Sequence, residues 1–373
     1  MPPIPTSPPA ERLTGEVVYL YAYDVAYEMA RQPIESLLGH PLAPFRIDMN
    51  RRGPRHQLFY PPQLLQLPGR ERTGPRGRVR VETAIKVLTI GAISISVRIP
   101  FSVERLEDLQ AFHDPEFSDG SLNEEIRRLA ESIREELAPH IRRPIDQLMD
   151  EEAYTVFCIH GPLEGRHEAG TEAWLERNRR DVAALLTEED GKTLSEQEVA
   201  ESTHRHLSYF RDDLIVVDWD AALILDQPSD TTEALHILEL ANLQLAELEA
   251  YDRHLDTTLV RSYRDLGSQP LRRRSSMLRE LRELRIDMAR VNDELSNLSK
   301  FFGDWHLARV HEAAAARFHL GDWQRSVQDK LKTLDELHQI LKSDQGNRWM
   351  MILEVTVVLL FIIDVAMLFR GGR

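Results

Sequence analysis

Leu214-Ile-Val-Val-Asp-Trp-Asp-Ala-Ala-Leu-Ile-Leu225 is the most strand-like stretch of the chain. Apolar residues fill both ends, and the whole run reads as one strand. On a strand, Asp218 and Asp220 flank Trp219 and project to one face, between Val216 and Ala222. A carboxylate pair of that kind can hold Mg²⁺, and it can equally mark an exposed strand end.

Working towards the N-terminus, strands alternate with helices. Glu16–Tyr23 is β-rich. Arg78–Ile85 and Ala92–Ile99 alternate with period two, as paired strands do. Ala153–Ile159 is a further apolar strand and holds the one cysteine, Cys158, which excludes a disulfide scaffold and reads as a small buried hydrophobe. Ser121-Leu-Asn-Glu124 is a capping box that opens a helix through about 148. Thr171–Leu186 is helical, and Thr193-Leu-Ser-Glu196 caps another helix. Together these predict an α+β protein whose body, 15–226, is an α/β sandwich. A proline-rich arm, 1–14, precedes it without the apolar core of an export signal, so the body is expected to stay where it is made.

Residues 39–78 read as a loop. They contain seven prolines and the chain's basic cluster: Arg51, Arg52, Arg55, Arg70, Arg72, Arg76 and Arg78, with Arg80 just beyond. The net charge is −15, which argues against a nucleic-acid-binding protein, apart from a local contact by this loop. His204 and His206 form a pair that lacks a third zinc ligand. Gly-rich phosphate loops, HExxH and CxxC are absent from the sequence, and no cofactor is expected.

Towards the C-terminus, 229–345 reads as a helical stalk with helices at about 230–266, 271–302 and 305–345. Leu281, Leu284, Met288, Val291, Leu295 and Leu298 alternate by three and four, the a and d seam of a coiled coil or antiparallel helical hairpin. Gly303-Asp-Trp305 recurs as Gly321-Asp-Trp323, which puts both tryptophans on one face if the helix runs through. Trp349–Phe369 is predominantly apolar over 21 residues, about 31 Å as a helix, matching a hydrocarbon core of about 30 Å. Arg348, Trp349 and Arg370 flank it, and Glu354 and Asp364 interrupt it about 80° apart around the axis. The expectation is a single C-terminal transmembrane anchor, with the bilayer as a partner and the body on the cytoplasmic side. Self-association, or a protein partner, would cover the seam and the two acids.

Asp213–Trp219, Leu238–Leu245, Phe301-Phe-Gly-Asp-Trp305 and the Glu-containing segment after Arg348 resemble the family named for "required for meiotic nuclear division" and Sad1-interacting factor proteins. The resemblance spans residues 205–370. It implies a membrane-bound scaffold with one span near the C-terminus, and no catalytic residues. Two other readings stand beside it: a CorA-like ion-transport protein, although the Gly-Met-Asn motif is missing, and a membrane-tethered metal-dependent enzyme using Asp218 and Asp220. The function expected is a non-enzymatic membrane scaffold or assembly protein.

Overall fold

Side chains of the central strands divide by period two between two apolar clusters, one on each face of a single sheet. The computed structural model describes residues 12–30, 32–45, 62–74, 77–144, 148, 151–161, 170–266 and 305–371, with a few helical positions between 282 and 289.

Besides the two-residue strands Ser36–Leu37, His40–Pro41, Glu116–Phe117 and Gly120–Ser121, which form two small pairs, the described strands in chain order are β1 (Leu13–Asp24), β2 (Ala26–Met29), β3 (Ala43–Pro44), β4 (Gln63–Gln66), β5 (Arg70–Gly74), β6 (Gly77–Val87), β7 (Ala92–Val103), β8 (Ile141–Pro144), β9 (Glu152–Gly161), β10 (His206–Leu207), β11 (Leu214–Val217) and β12 (Ala221–Leu225). The helices are α1 (Leu122–Leu137), α2 (Thr171–Thr187), α3 (Glu196–Ser202), α4 (Pro228–Leu266), α5 (Trp305–Arg317) and α6 (Leu320–Gly371). The main sheet runs β10-β11-β12-β9-β1-β7-β6-β4-β3, with β5 paired to β6. The β9–β12 pair is parallel and its other pairs are antiparallel, so the sheet is mixed.

Tyr19, Tyr21, Tyr23, Phe157 and Leu223 face one side, packed with α1 and α2 residues such as Ile126 and Leu185. Val18, Leu20, Val156, Cys158 and Ile224 face the other, packed with Leu238 of α4 and Val310 of α5. Burial raises the Cys158 thiol well above its usual range, consistent with an inert core residue. Gly91 closes the β6–β7 turn at φ 108°. Its carbonyl accepts from Val25 and Ala26, and a Cβ there would lie 1.7 Å from the Ala26 carbonyl oxygen.

The predicted strands at 78–85 and 92–99 are the antiparallel pair β6–β7. Four local expectations need correction. The loop read at 39–78 contains β3, β4 and β5: Arg70–Gly74 pairs residue by residue with the start of β6, and β4 pairs with the end of β6 and with β3. The helix from 121 ends at Leu137, where Ala138-Pro139-His140 forms a 3-10 turn that leads into β8. Ser121 makes no side-chain capping bond. A cap is worth about 1 kcal/mol, little beside the buried Leu122, Ile126, Ile133 and Leu137 at roughly 1.5–3 kcal/mol each. The working cap of α3 is Ser195, which accepts from the Glu198 amide at 3.1 Å.

Contacts divide the chain into two units, the first drawn from residues 1–250 and 290–323, the second from 251–289 and 324–373. In the second, Lys330 of α6 pairs with Asp252 at 2.8 Å and Asp256 at 2.7 Å on α4, and Ser326 donates to Asp252 at 2.9 Å. Arg285 reaches Asp335 at 2.9 Å. The a/d seam, Leu281, Leu284, Met288, Val291, Leu295 and Leu298, lies outside the described residues. The third stalk helix does not run through: the chain turns at His319, φ 51°, between α5 and α6. The two tryptophans therefore part company, Trp305 being 77% exposed while Trp323 packs on the second apolar cluster.

The transmembrane anchor is also corrected. Among the described residues no helix is long and apolar enough to cross a membrane. Within α6, Met350–Ile363 is an exposed, largely apolar run. Glu354 interrupts that run and is exposed. Integral membrane placement, and a cytoplasmic-side body defined by it, lose their basis. Arg348, Trp349, Asp364 and Arg370 belong to α6, and their side chains lie outside the description.

Candidate functional site

The stretch that read as one strand folds as two. β11 and β12 are an antiparallel hairpin, and Asp218, Trp219 and Asp220 make its turn. The Asp218 amide donates to the Ala221 carbonyl at 3.0 Å, and the Trp219 amide donates to Asp218 Oδ1 at 2.8 Å. The two acids do not share one environment. Asp218 is buried and ion-paired with Arg317, whose Nε donates at 2.6 Å and whose Nη1 reaches Glu201 at 2.9 Å. Asp220 is outside that pair. Burial, then the charge of Asp218, raises its carboxyl above the usual range. Among the described residues no group of three or more His, Cys, Asp or Glu is placed to hold a metal ion. His206 Nδ1 is taken up by the Thr203 carbonyl at 2.9 Å, and His204 is exposed.

Of the basic cluster, Arg70 and Arg72 stand on β5, and Arg78 and Arg80 on β6. Arg51, Arg52, Arg55 and Arg76 lie outside the described residues.

The most concentrated buried chemistry is one the sequence reading passed over. Lys86 of β6 and Ser94 of β7 stand opposite each other in the ladder, facing α4. One turn of α4 supplies His236 and Glu239. Lys86 is ion-paired with Glu239, and Ser94 Oγ donates to the other carboxylate oxygen at 2.6 Å. His236 Nδ1 lies 3.4 Å from both the ammonium and the carboxylate, accepting from one or donating to the other according to tautomer. Phe45 closes the cluster, its ring 4.0 Å from Lys86 Nζ and 5.1 Å from the imidazole.

Burial acts to raise the Glu239 carboxyl, yet Lys86 and His236 outweigh it and hold the group well below the usual range. Burial, then the Lys86 charge, lowers His236, so the ring is neutral at pH 7. A general base needs a pKa near the working pH; Glu239 is far from it. A nucleophilic amine must be free to reach a substrate, and Lys86 is engaged by the Glu239 carboxylate. The cluster is suited to locking α4 onto the sheet. A sequence signal for it existed: Lys86, His236 and Glu239 each interrupt an apolar run.

A family profile described as the N-terminal domain of the uncharacterized protein MJ0711 matches residues 14–231. The protein of that name from Methanocaldococcus jannaschii is 22% identical over 246 residues, 65% of this chain and 73% of its own. No solved structure matches the chain. These findings overturn the resemblance to the "required for meiotic nuclear division" and Sad1-interacting factor family. It rested on apolar helical patterns in the C-terminal half, which many unrelated helices share, whereas the profile covers the N-terminal body. By that match, the chain belongs to the family of the MJ0711 N-terminal domain.

Proposed function

We propose that this chain is a non-enzymatic scaffold or assembly protein that associates with further copies of itself through α6. One observation carries the reading. From Met350 to Ile363, twelve of fourteen residues are large hydrophobics, each between 45% and 70% exposed. Monomeric proteins rarely expose apolar patches beyond a few hundred Å². The exposure goes all round the helix, so a single flat partner would leave its far side in water. Helices from several copies, arranged symmetrically, cover every face with the same chemistry. The engagement of Asp218 by Arg317 and of Lys86 by Glu239 supports a non-catalytic role.

Light scattering on Leu353→Glu with Leu360→Glu tests this. Both residues are more than half exposed, so the variant is expected to keep its fold and to lose mass relative to the native protein. Equal masses would remove the reading. A thermal-shift titration with Mg²⁺ addresses the enzymatic alternative. Asp218→Asn with Asp220→Asn should leave the response to Mg²⁺ unchanged, and a metal-induced rise in Tm that vanishes in this variant would revive a metal site.

A further inference from the structure

We propose that the cavity between the β5–β6 hairpin and α1 binds a short-chain carboxylic acid in its ionised form. Its volume is about 190 Å³. That is room for roughly six waters at ~30 Å³ each, and it falls below the ~300 Å³ at which ordinary ligand pockets begin. A nucleotide or a sugar phosphate is too large. The walls set the chemistry. Val81 of β6 and Leu122 and Ile126 of α1 give a buried apolar floor, while Arg70 and Arg72 stand at its charged side.

Arg72 is a desolvated cation. Its side chain is 7% exposed, its guanidinium lies 3.9 Å over the Phe117 ring, and it pairs with Asp119 at 2.7 Å and Glu125 at 2.6 Å. An adjoining cleft of about 320 Å³ shares Arg72 and Glu125 and adds Arg128. Three arginines thus face two carboxylates, an excess of one positive charge in a chain of net charge −15. Asp119 and Glu125 are both committed to Arg72. Arg70 meets Glu125 at a long 3.6 Å and is 76% exposed, so it can turn onto an incoming carboxylate without breaking a strong pair. The carboxylate head supplies the missing negative charge, and the short alkyl tail covers the apolar floor.

Calorimetric titration of the full-length protein with hexanoate reads this directly. One-to-one binding with a negative heat-capacity change is expected, weakened tenfold or more in Arg70→Gln. Because Arg70 is exposed, that variant should melt with the native protein. Hexanol binding as tightly as hexanoate would overturn recognition of the carboxylate. Acetate binding as tightly would overturn the role of the apolar floor. Native affinity in Arg70→Gln, or no heat and no rise in Tm at millimolar hexanoate, would overturn the site altogether.

Discussion

Asp24 ends β1 with its carboxyl 6% exposed, accepting from the Ala26 amide at 3.3 Å. Burial pushes its pKa up to about 7. An acid with a folded pKa raised above its unfolded value of ~3.9 takes up a proton on folding. Its effect therefore favours the native state increasingly as pH falls from 7 towards 4, and above pH 7 it leaves a buried charge. Asp24→Asn should stabilise the protein at pH 8, by at most about 4 kcal/mol for a three-unit shift, and change little at pH 5. Urea denaturation at the two pH values measures the difference, and equal effects would contradict the assignment. His236 has the opposite sign. Its folded pKa is lowered by burial, so the unfolded chain protonates first and stability is lost as pH falls below ~6.5. In the Lys86–Glu239 pair, Lys86→Met should cost about 3–5 kcal/mol by stranding a buried carboxylate. Adding Glu239→Gln should recover part of that loss in a double-mutant cycle; purely additive losses would mean the pair is not coupled. Each of these charges was visible in the sequence as an interruption of an apolar run. Their meeting was not, because Lys86 and Glu239 lie 153 residues apart and only the tertiary fold joins them.

At the scale of elements, periodicity announced β6, β7 and β9 because each alternates or is apolar throughout, and a strand needs nothing more. The β11–β12 hairpin escaped because Asp-Trp-Asp carries no Gly, Pro or Asn to signal a turn. Asp218 replaces that signal with a side-chain hydrogen bond to the Trp219 amide. The break at His319 was hidden in the same way, a left-handed residue, φ 51°, without glycine. The end of α2 has the same feature. Glu188 takes φ 59° at the C-cap, exposed, its amide donating to the Ala184 carbonyl. Glycine suits that conformation better. Glu188→Gly should therefore raise stability by up to about 1 kcal/mol, read as an increased urea midpoint with unchanged slope. A loss would show that the carboxylate contributes more than the backbone strain costs.

For the whole molecule, the alternation of strands and helices was enough to announce an α+β body, and the family match from residue 14 begins within the first strand. The strand order was not readable, because the parallel β9–β12 pair joins segments separated by α2, α3 and two other strands. The apolar segment Trp349–Phe369 belongs to α6, and among the described residues no helix is long and apolar enough to cross a membrane. What remains is an apolar helix surface that one chain leaves open to water. Sedimentation equilibrium of the full-length protein in aqueous buffer without detergent, over a concentration series through the micromolar range, tests the account most directly. The account predicts a mass of at least two chains that falls on dilution. A mass of one chain throughout that range would contradict it.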